Sequence, residues 1–414
     1  MSFDTNNLIE SNRNQELIGL KQNKLAFVDR ILRKATKAIS SGTIVFKLEN
    51  GNVIRCESGN EGPEATINVH SFKFFRRLLS AGYLGLAESY INNEWTTPSL
   101  ENVFNFGAAN LTALDQNLTE NLFVRLTNKI TRFMQRNSIR GSRKNIADHY
   151  DLGNDFFIEW LDSTMTYSSA LFEKKTDTLH SAQKNKYQRI IDELKIEKSQ
   201  NILEIGCGWG GFAEYAAKKA KANIFGVTIS KEQCEYARNR ITQANLEDKV
   251  KISLQDYRAL TGQYDRIVSI EMLEAVGKSY WPAYFKTIAD RLKKNGSAMV
   301  QVITVPDEYF DYYSNGMDFI QRYIFPGGML ICPKMLEEQS EKAGLTLIRA
   351  HMFGSSYAQT LEQWQSSFQI RWDKIEKLGF DEKFKRIWEY YLDYTAAGFR
   401  SGAIDVGQFH LRKS

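Results

Sequence analysis

Residues 203–212 read Leu-Glu-Ile-Gly-Cys-Gly-Trp-Gly-Gly-Phe, with glycine at 206, 208, 210 and 211 directly after an apolar run. The pattern suits a strand, a sharp turn and a helix start. Glycine is needed where the backbone turns tightly and where a ligand must lie against main-chain N–H groups with no Cβ in the way. Gly206, Gly208 and Gly211 also satisfy the dinucleotide fingerprint, so the loop alone leaves two cofactors open. Two neighbouring features discriminate. Glu204 stands two residues before the first glycine, as in methyl-donor loops, and there is no acidic residue about twenty positions on, where a dinucleotide site needs one for the ribose. The second strand ends instead in Gly226-Val227-Thr228-Ile229-Ser230, whose hydroxyls, with Gln233, can hydrogen-bond a ribose. The loop is therefore read as a seat for S-adenosylmethionine.

The elements that must position this loop form an alternation. Strand patterns over Asn201–Ile205, Asn223–Ile229, Asp265–Ile270 and Ser297–Ile303 alternate with helical ones over 212–219, 231–244 and 280–293. This predicts an α/β fold, a doubly wound Rossmann-like methyltransferase domain spanning 136–414. A segment near 304–335, rich in Tyr and Phe, interrupts the alternation and reads as an inserted, substrate-covering piece. Before it, residues 1–135 read as a small α+β accessory, lipid-associated domain. There, Ile44–Leu48 and Val53–Arg55 flank an Asn-Gly turn and predict a hairpin. Helices are expected over 72–79 and 121–134, and a polar basic linker over 135–145. From Asn23 to Ile39, apolar residues recur at helical spacing among Lys21, Lys24, Arg30, Arg33, Lys34 and Lys37. This basic amphipathic helix suits either anionic headgroups or plain packing on its own domain.

Bulk composition excludes several classes. The chain has 414 residues, and 54 Lys+Arg against 49 Asp+Glu is too slight an excess for a nucleic-acid binder. Cys56, Cys207, Cys234 and Cys332 show no C-x-x-C pairing, and the five histidines fall in no ligand spacing, so neither a metal site nor a disulfide framework is expected. His149 and His351 are read as structural. There is no Walker-type glycine-lysine loop. Residues 1–15 are polar, without a signal-like apolar core, and no run is long enough to span a bilayer. The expected location is cytoplasmic, with peripheral contact to the inner face of the membrane.

Further segments carry a family likeness: His149-Tyr150-Asp151-Leu152-Gly153-Asn154, Met165-Thr166-Tyr167-Ser168, Leu254-Gln255-Asp256-Tyr257-Arg258, Leu273-Glu274-Ala275-Val276-Gly277 and Tyr323-Ile324-Phe325-Pro326-Gly327-Gly328. With the glycine loop, they resemble the cyclopropane-fatty-acyl-phospholipid synthase family over nearly the whole chain. The resemblance implies that Tyr150, Tyr167, Ser168, Gly206 and Gly208 hold the amino-acid end of the donor. Thr228, Ile229 and Gln233 would take the ribose, and Asp256 and Tyr257 the adenine side. It also implies transfer of a methyl group to the cis double bond of an unsaturated phospholipid acyl chain at a membrane surface, giving a cyclopropane. Self-association into a homodimer is left open.

An isolated alkene is a weak nucleophile, so the sulfonium methyl must be aimed at it in a dry site. Transfer leaves a carbocation, which aromatic faces can stabilise without trapping it. Tyr309, Phe310, Tyr312, Tyr313, Phe319, Tyr323 and Phe325 are candidates, with Tyr357 beyond the insert; Tyr357 and Tyr323 are the expected lining residues. A base must then remove a proton. By resemblance this is a bicarbonate ion held by a carboxylate, a histidine and a tyrosine. Glu274, at the end of the fourth strand, matches the carboxylate, Tyr357 the tyrosine and Ile303 a backbone contact. Gln301 stands where the histidine is expected, Ser169 replaces a cysteine after Thr-Tyr-Ser, Ala275 replaces a histidine and Thr395 a late cysteine. Glutamine can donate to an anion but cannot shuttle a proton.

That pattern, Glu-Ala-Val-Gly with Gln-x-Ile-Thr, looks more like relatives that install a mid-chain methylene or methyl branch, so both products remain open. So do two other functions: methylation of small-molecule amines, and a lipid-binding relative without turnover.

Overall fold

The computed structural model describes residues 39–111 and 152–413. The basic helix at 23–38, the helix expected over 121–134, the linker, the expected boundary at 135/136, His149 and Tyr150 lie outside the described residues. The chain divides into two compact units, Met1–Asn121 and Leu122–Ser414.

The first unit is α+β. Strands β1 (Thr43–Leu48) and β2 (Val53–Glu57) form the expected hairpin, its turn closed by Gly51 at φ 82°. Strand β3 (Glu64–Val69) runs parallel to β1, helix α1 (Lys73–Ile91) follows, and β4 (Trp95–Thr96) pairs with β3. Helix α2 (Leu100–Ala109) starts where Ser99 accepts a hydrogen bond from Asn102 N. Alternate side chains of β1 meet α1 in a core of Phe46, Phe74, Phe75 and Trp95. Helix α1 outruns the 72–79 expectation because Gly82, at φ 54° and ψ −130°, kinks the helix without ending it.

The second unit is a layered α/β domain. In chain order it comprises α3 (Asn154–Trp160), α4 (Leu179–Glu193), β5 (Asn201–Ile205), α5 (Gly211–Ala220), β6 (Asn223–Thr228), α6 (Lys231–Gln243), β7 (Val250–Leu254) and β8 (Tyr264–Ile270). Helix α7 (Trp281–Arg291), β9 (Leu292–Thr304), α8 (Phe310–Asn315), α9 (Phe319–Tyr323), α10 (Pro333–Lys342), β10 (Leu345–Met352), α11 (Gly354–Lys377), α12 (Glu382–Arg400) and β11 (Asp405–Lys413) complete it. The sheet order is β10-β11-β9-β8-β5-β6-β7, and β11 alone runs antiparallel to its neighbours.

Strand β5 and the second half of β9 are almost continuously buried because helices cover both faces. Helices α4, α5 and α6 bury Ile190, Phe212, Ala216 and Ala237 against one face, while α7 and α10 bury Phe285, Ile288 and Leu336 against the other. The strand order reverses between β5 and β8, so the loops leaving those strands splay apart there and open the crevice where ligands of such sheets bind.

Candidate active site

Two clusters of side chains gather at the carboxyl ends of the central strands. The first surrounds the glycine loop. Gly206 (φ 80°) and Cys207 both donate backbone N–H bonds to Val227 O, at 2.9 and 3.0 Å, which ties the turn to β6. Gly208 has φ 50°, and a Cβ built on it would meet nothing within 4 Å. Its exposed backbone face is the kind of surface on which a ligand can rest. At Gly211 a Cβ would strike the Tyr187 hydroxyl at 2.8 Å, so glycine there serves helix packing. Thr228 donates to Gln233 Oε1 (2.9 Å), and Ser230 Oγ accepts from Gln233 N (3.3 Å), capping α6. These polar atoms ring the end of β6, with Ile229 between them.

Asp256 is buried and accepts from Arg258 Nη2 (2.6 Å) and Nε (2.9 Å). Tyr257 meets Tyr284 edge-on at 5.8 Å, and burial pushes its hydroxyl up to about 12. The residues at the ends of β5, β6 and β7 thus leave an open glycine face flanked by hydroxyl and carboxylate groups, which fits S-adenosylmethionine. Glu204 is turned inward instead. It is 3% exposed, its carboxyl is held well above the usual range by burial, and it faces the helix layer near Tyr187. Its role is thereby internal, behind the loop it announces in the sequence.

The second cluster follows β8 and β9. Glu271 Oε1 accepts from the Ser169 backbone N–H (2.9 Å) and from Gln301 Nε2 (2.8 Å), and Oε2 accepts from the Tyr357 hydroxyl (2.7 Å). Gln301 is fixed in turn by Gln408 of β11, which donates to its Oε1 at 3.1 Å. Glu274 accepts from Ile303 N at 2.7 Å, while its second oxygen is buried with no hydrogen-bond partner among the described residues. The Glu274 carbonyl accepts from Met329 N (2.8 Å), which pins the 304–335 segment to the site. Lys186, wholly buried on α4, donates to Ser168 Oγ at 2.6 Å. The Ser169 hydroxyl turns away to Ala170 O, so Ser169 contributes its main chain.

These environments separate the two carboxylates. Burial, then repulsion from Glu271, pushes Glu274 up to about 8. Burial raises Glu271 too, but the Lys186 ammonium and the three donors oppose it. Lys186 is lowered to about 7 by burial, with Glu271 and Asp162 resisting. Glu274, at about 8, holds its proton at neutral pH, while the three donors and the Lys186 ammonium favour the ionised form of Glu271. Two acids whose environments divide them in this way can share the labour of proton transfer.

Aromatic rings stand beside the carboxylates. Tyr357 stacks on Phe399 (4.4 Å) and meets Trp364 edge-on (6.1 Å). Tyr167 lies against Trp160, Trp364 and Phe325 at 5.5, 5.3 and 6.3 Å, and its hydroxyl donates to that of Tyr391 (2.9 Å). The insert supplies less of this wall than its composition suggested. Phe310 belongs to the core, Tyr309 packs on Tyr312, and Tyr323 lies on Phe319. The rings come mainly from α3, the 161–178 loop, α11 and α12.

Of the expected site residues, the structure brings Ser169, Gln301 and Tyr357 onto one carboxylate and joins Ile303 to Glu274. Ser168 is drawn to Lys186, and Tyr167 joins the aromatic wall. Sequence reasoning missed Glu271, Lys186 and Gln408. The available signal for Glu271 was a second acid three residues before Glu274, just past a strand end. Of the groups that the resemblance assigns to bicarbonate, Gln301 and Tyr357 are engaged by Glu271 and Ile303 N by Glu274, so these residues do not fit that ion.

A family model described as mycolic acid cyclopropane synthetase matches residues 137–409. The chain is 38% identical over 349 residues to the tuberculostearic acid methyltransferase of Mycobacterium tuberculosis, covering 81% of this chain and 80% of that one. It is 35% identical over 349 residues to the cyclopropane-fatty-acyl-phospholipid synthase of Escherichia coli K12, covering 84% and 88%. Among solved structures it resembles a mycolic acid cyclopropane synthase complexed with SAH and CTAB, with a TM-score of 0.62 and 31% identity over 66% of this chain and 98% of that one.

Proposed function

Since the chain belongs to the mycolic acid cyclopropane synthetase family and is an S-adenosylmethionine-dependent methyltransferase, we propose that it methylates the cis double bond of an unsaturated phospholipid acyl chain, giving a cyclopropane. The observation that supports this most directly is the placing of two buried carboxyl groups, Glu271 and Glu274, in different hydrogen-bond environments beside an aromatic wall at the strand ends next to the donor loop.

Bound S-adenosylmethionine supplies an electrophilic methyl group. Gly206 and Gly208 let its amino-acid end approach the main chain, Thr228, Ile229 and Gln233 border the ribose, and Asp256 and Tyr257 the adenine. Tyr150 joins the amino-acid end by resemblance. The rings of Tyr167, Trp364 and Tyr357 exclude water and offer π-faces to a cationic carbon. Glu274, which holds its proton near neutral pH and accepts from Ile303 N, acts together with Glu271 in moving the departing proton.

A second product, a mid-chain methylene or methyl branch, is supported by the Glu-Ala-Val-Gly and Gln-x-Ile-Thr pattern, which looks like that of branch-forming relatives, and by the 38% identity to the tuberculostearic acid methyltransferase. Peripheral membrane contact and homodimer formation complete the proposal. No helix among the described residues is long and apolar enough to cross a membrane.

The test is incubation with methyl-labelled S-adenosylmethionine and unsaturated phospholipid vesicles, followed by fragmentation mass spectrometry. Label in the acyl chain is expected, with the fragments separating ring from branch. Label on amines would replace this reading with the amine methyltransferase, and donor binding without transfer would replace it with a lipid binder.

A further inference from the structure

Glu271 stands out in its backbone as well as its partners. It has φ 49°, in the left-handed region that non-glycine residues occupy at a cost of about 1–3 kcal/mol. Its own N–H donates to Gln301 O at 2.7 Å, which fixes this conformation at the end of β8. The strained turn delivers a carboxylate to a point where Ser169 N, Gln301 Nε2 and Tyr357 Oη converge at 2.7–2.9 Å. Two of these donors, Gln301 and Tyr357, occupy positions that the resemblance assigns to a bound bicarbonate. Lys186 lies close enough to offset the charge while donating its hydrogen bond to Ser168 Oγ.

Resting on the methyltransferase reading, we infer that the Glu271 carboxylate is a tethered substitute for a bound anion, and that it is the base that receives the proton released when methyl transfer is completed. The balance is simple. The methyl carbon leaves sulfur, whose bonding pair stays on the sulfur, and bonds to one alkene carbon, so the other becomes cationic. A C–H bond of the new methyl group then breaks. Its electron pair closes the ring, or forms a C=C bond if a hydride has first shifted between the chain carbons. The proton goes to a Glu271 oxygen, leaving a neutral carboxylic acid that returns it to solvent after product departs. Neither route requires a reductant, an oxidant or an added anion.

The test compares wild type, Glu271→Gln and Glu271→Gly as full chains, with dioleoyl phospholipid vesicles in carbon-dioxide-free buffer, with and without sodium bicarbonate. Wild type should turn over at the same rate in both. Glu271→Gln, isosteric but not basic, should lose at least about 100-fold in kcat in both. Glu271→Gly relaxes the backbone and vacates the seat, so it should be equally slow without bicarbonate and recover about tenfold or more with it. Unchanged donor affinity in both variants shows the fold is intact, and Glu271→Gly carries the comparison should the glutamine variant not fold.

Bicarbonate dependence of wild type, full activity of Glu271→Gln, or a Glu271→Gly enzyme that stays inert with bicarbonate would each overturn the inference. A wild type that binds donor but labels no acyl chain in either buffer removes the functional reading itself and this inference with it.

Discussion

The donor loop and the carboxylate cluster share one edge of the same sheet but are built on opposite principles. Around the donor loop, polar side chains satisfy each other within a few residues: Thr228 with Gln233, Asp256 with Arg258. In the cluster, Ser169, Lys186, Glu271, Gln301, Tyr357 and Gln408 come from six separate stretches and bury charge among aromatic rings. The first arrangement is cheap and local, and it binds. The second is costly and assembled only by the completed fold, which is the expected signature of a site that pays in stability for reactivity.

That contrast can be broken, or sharpened, by substitution. The largest effect is expected in the cluster: Glu274→Gln should lower kcat by about 1000-fold with donor affinity unchanged, as measured by product mass spectrometry and calorimetry. Unchanged product would make Glu274 a structural residue.

Next, Lys186→Met leaves the Glu271 charge buried without its compensating ammonium and should cost about 3 kcal/mol in urea denaturation. Adding Glu271→Gln to Lys186→Met should restore part of that, because the two charges are energetically coupled. Strict additivity would show that they do not sense each other.

In the donor loop the expectation reverses. Gly208→Val places a side chain on the open face at φ 50° and should weaken S-adenosylmethionine binding by tens of fold, about 2 kcal/mol, while kcat at saturating donor changes little. A kcat effect without a binding effect would erase the distinction between the regions.

The smallest effect, taken per pH unit, is on pH dependence. Folded Glu274 holds its proton up to about 8, whereas the unfolded side chain releases it near 4.5. Its raised folded value therefore contributes stability that is complete below the unfolded value and is lost as pH rises toward 8. Stability should fall by up to about 1.4 kcal/mol per pH unit across that window. Glu274→Gln should flatten this slope in pH-dependent melting, and an unaltered slope would place the titration elsewhere.

The same contrast explains what could be read from the sequence. The glycine turn, the Asn-Gly hairpin and the strand-helix alternation through β9, except β7, were legible because each is specified by neighbouring residues. Glu274, Gln301, Ser169 and Tyr357 were found through resemblance, but not what three of them hold. Glu271 looked like an ordinary loop acid because its significance depends on a left-handed turn and on donors more than thirty residues away on most sides. Lys186 was passed over, since periodicity alone does not reveal which cation the fold will swallow. The tyrosines of 304–335 misled in the other direction: their density suggested a cation-stabilising wall, yet several mainly hold the insert together. Strands β10 and β11 went unannounced because β11 mixes Gln408, His410, Arg412 and Lys413 among its apolar residues.

Strand β11 also sets an order of events. It is threaded between β9 and β10, and Gln408 reaches from it to Gln301. A growing chain that has delivered everything through α12 still lacks the strand that orients the Gln301 amide. The glycine turn is tied by its own hydrogen bonds to β6 alone, whereas the amide that holds Glu271 is clamped only once β11 is in place. Reactivity arrives last, when the surrounding walls are already in place.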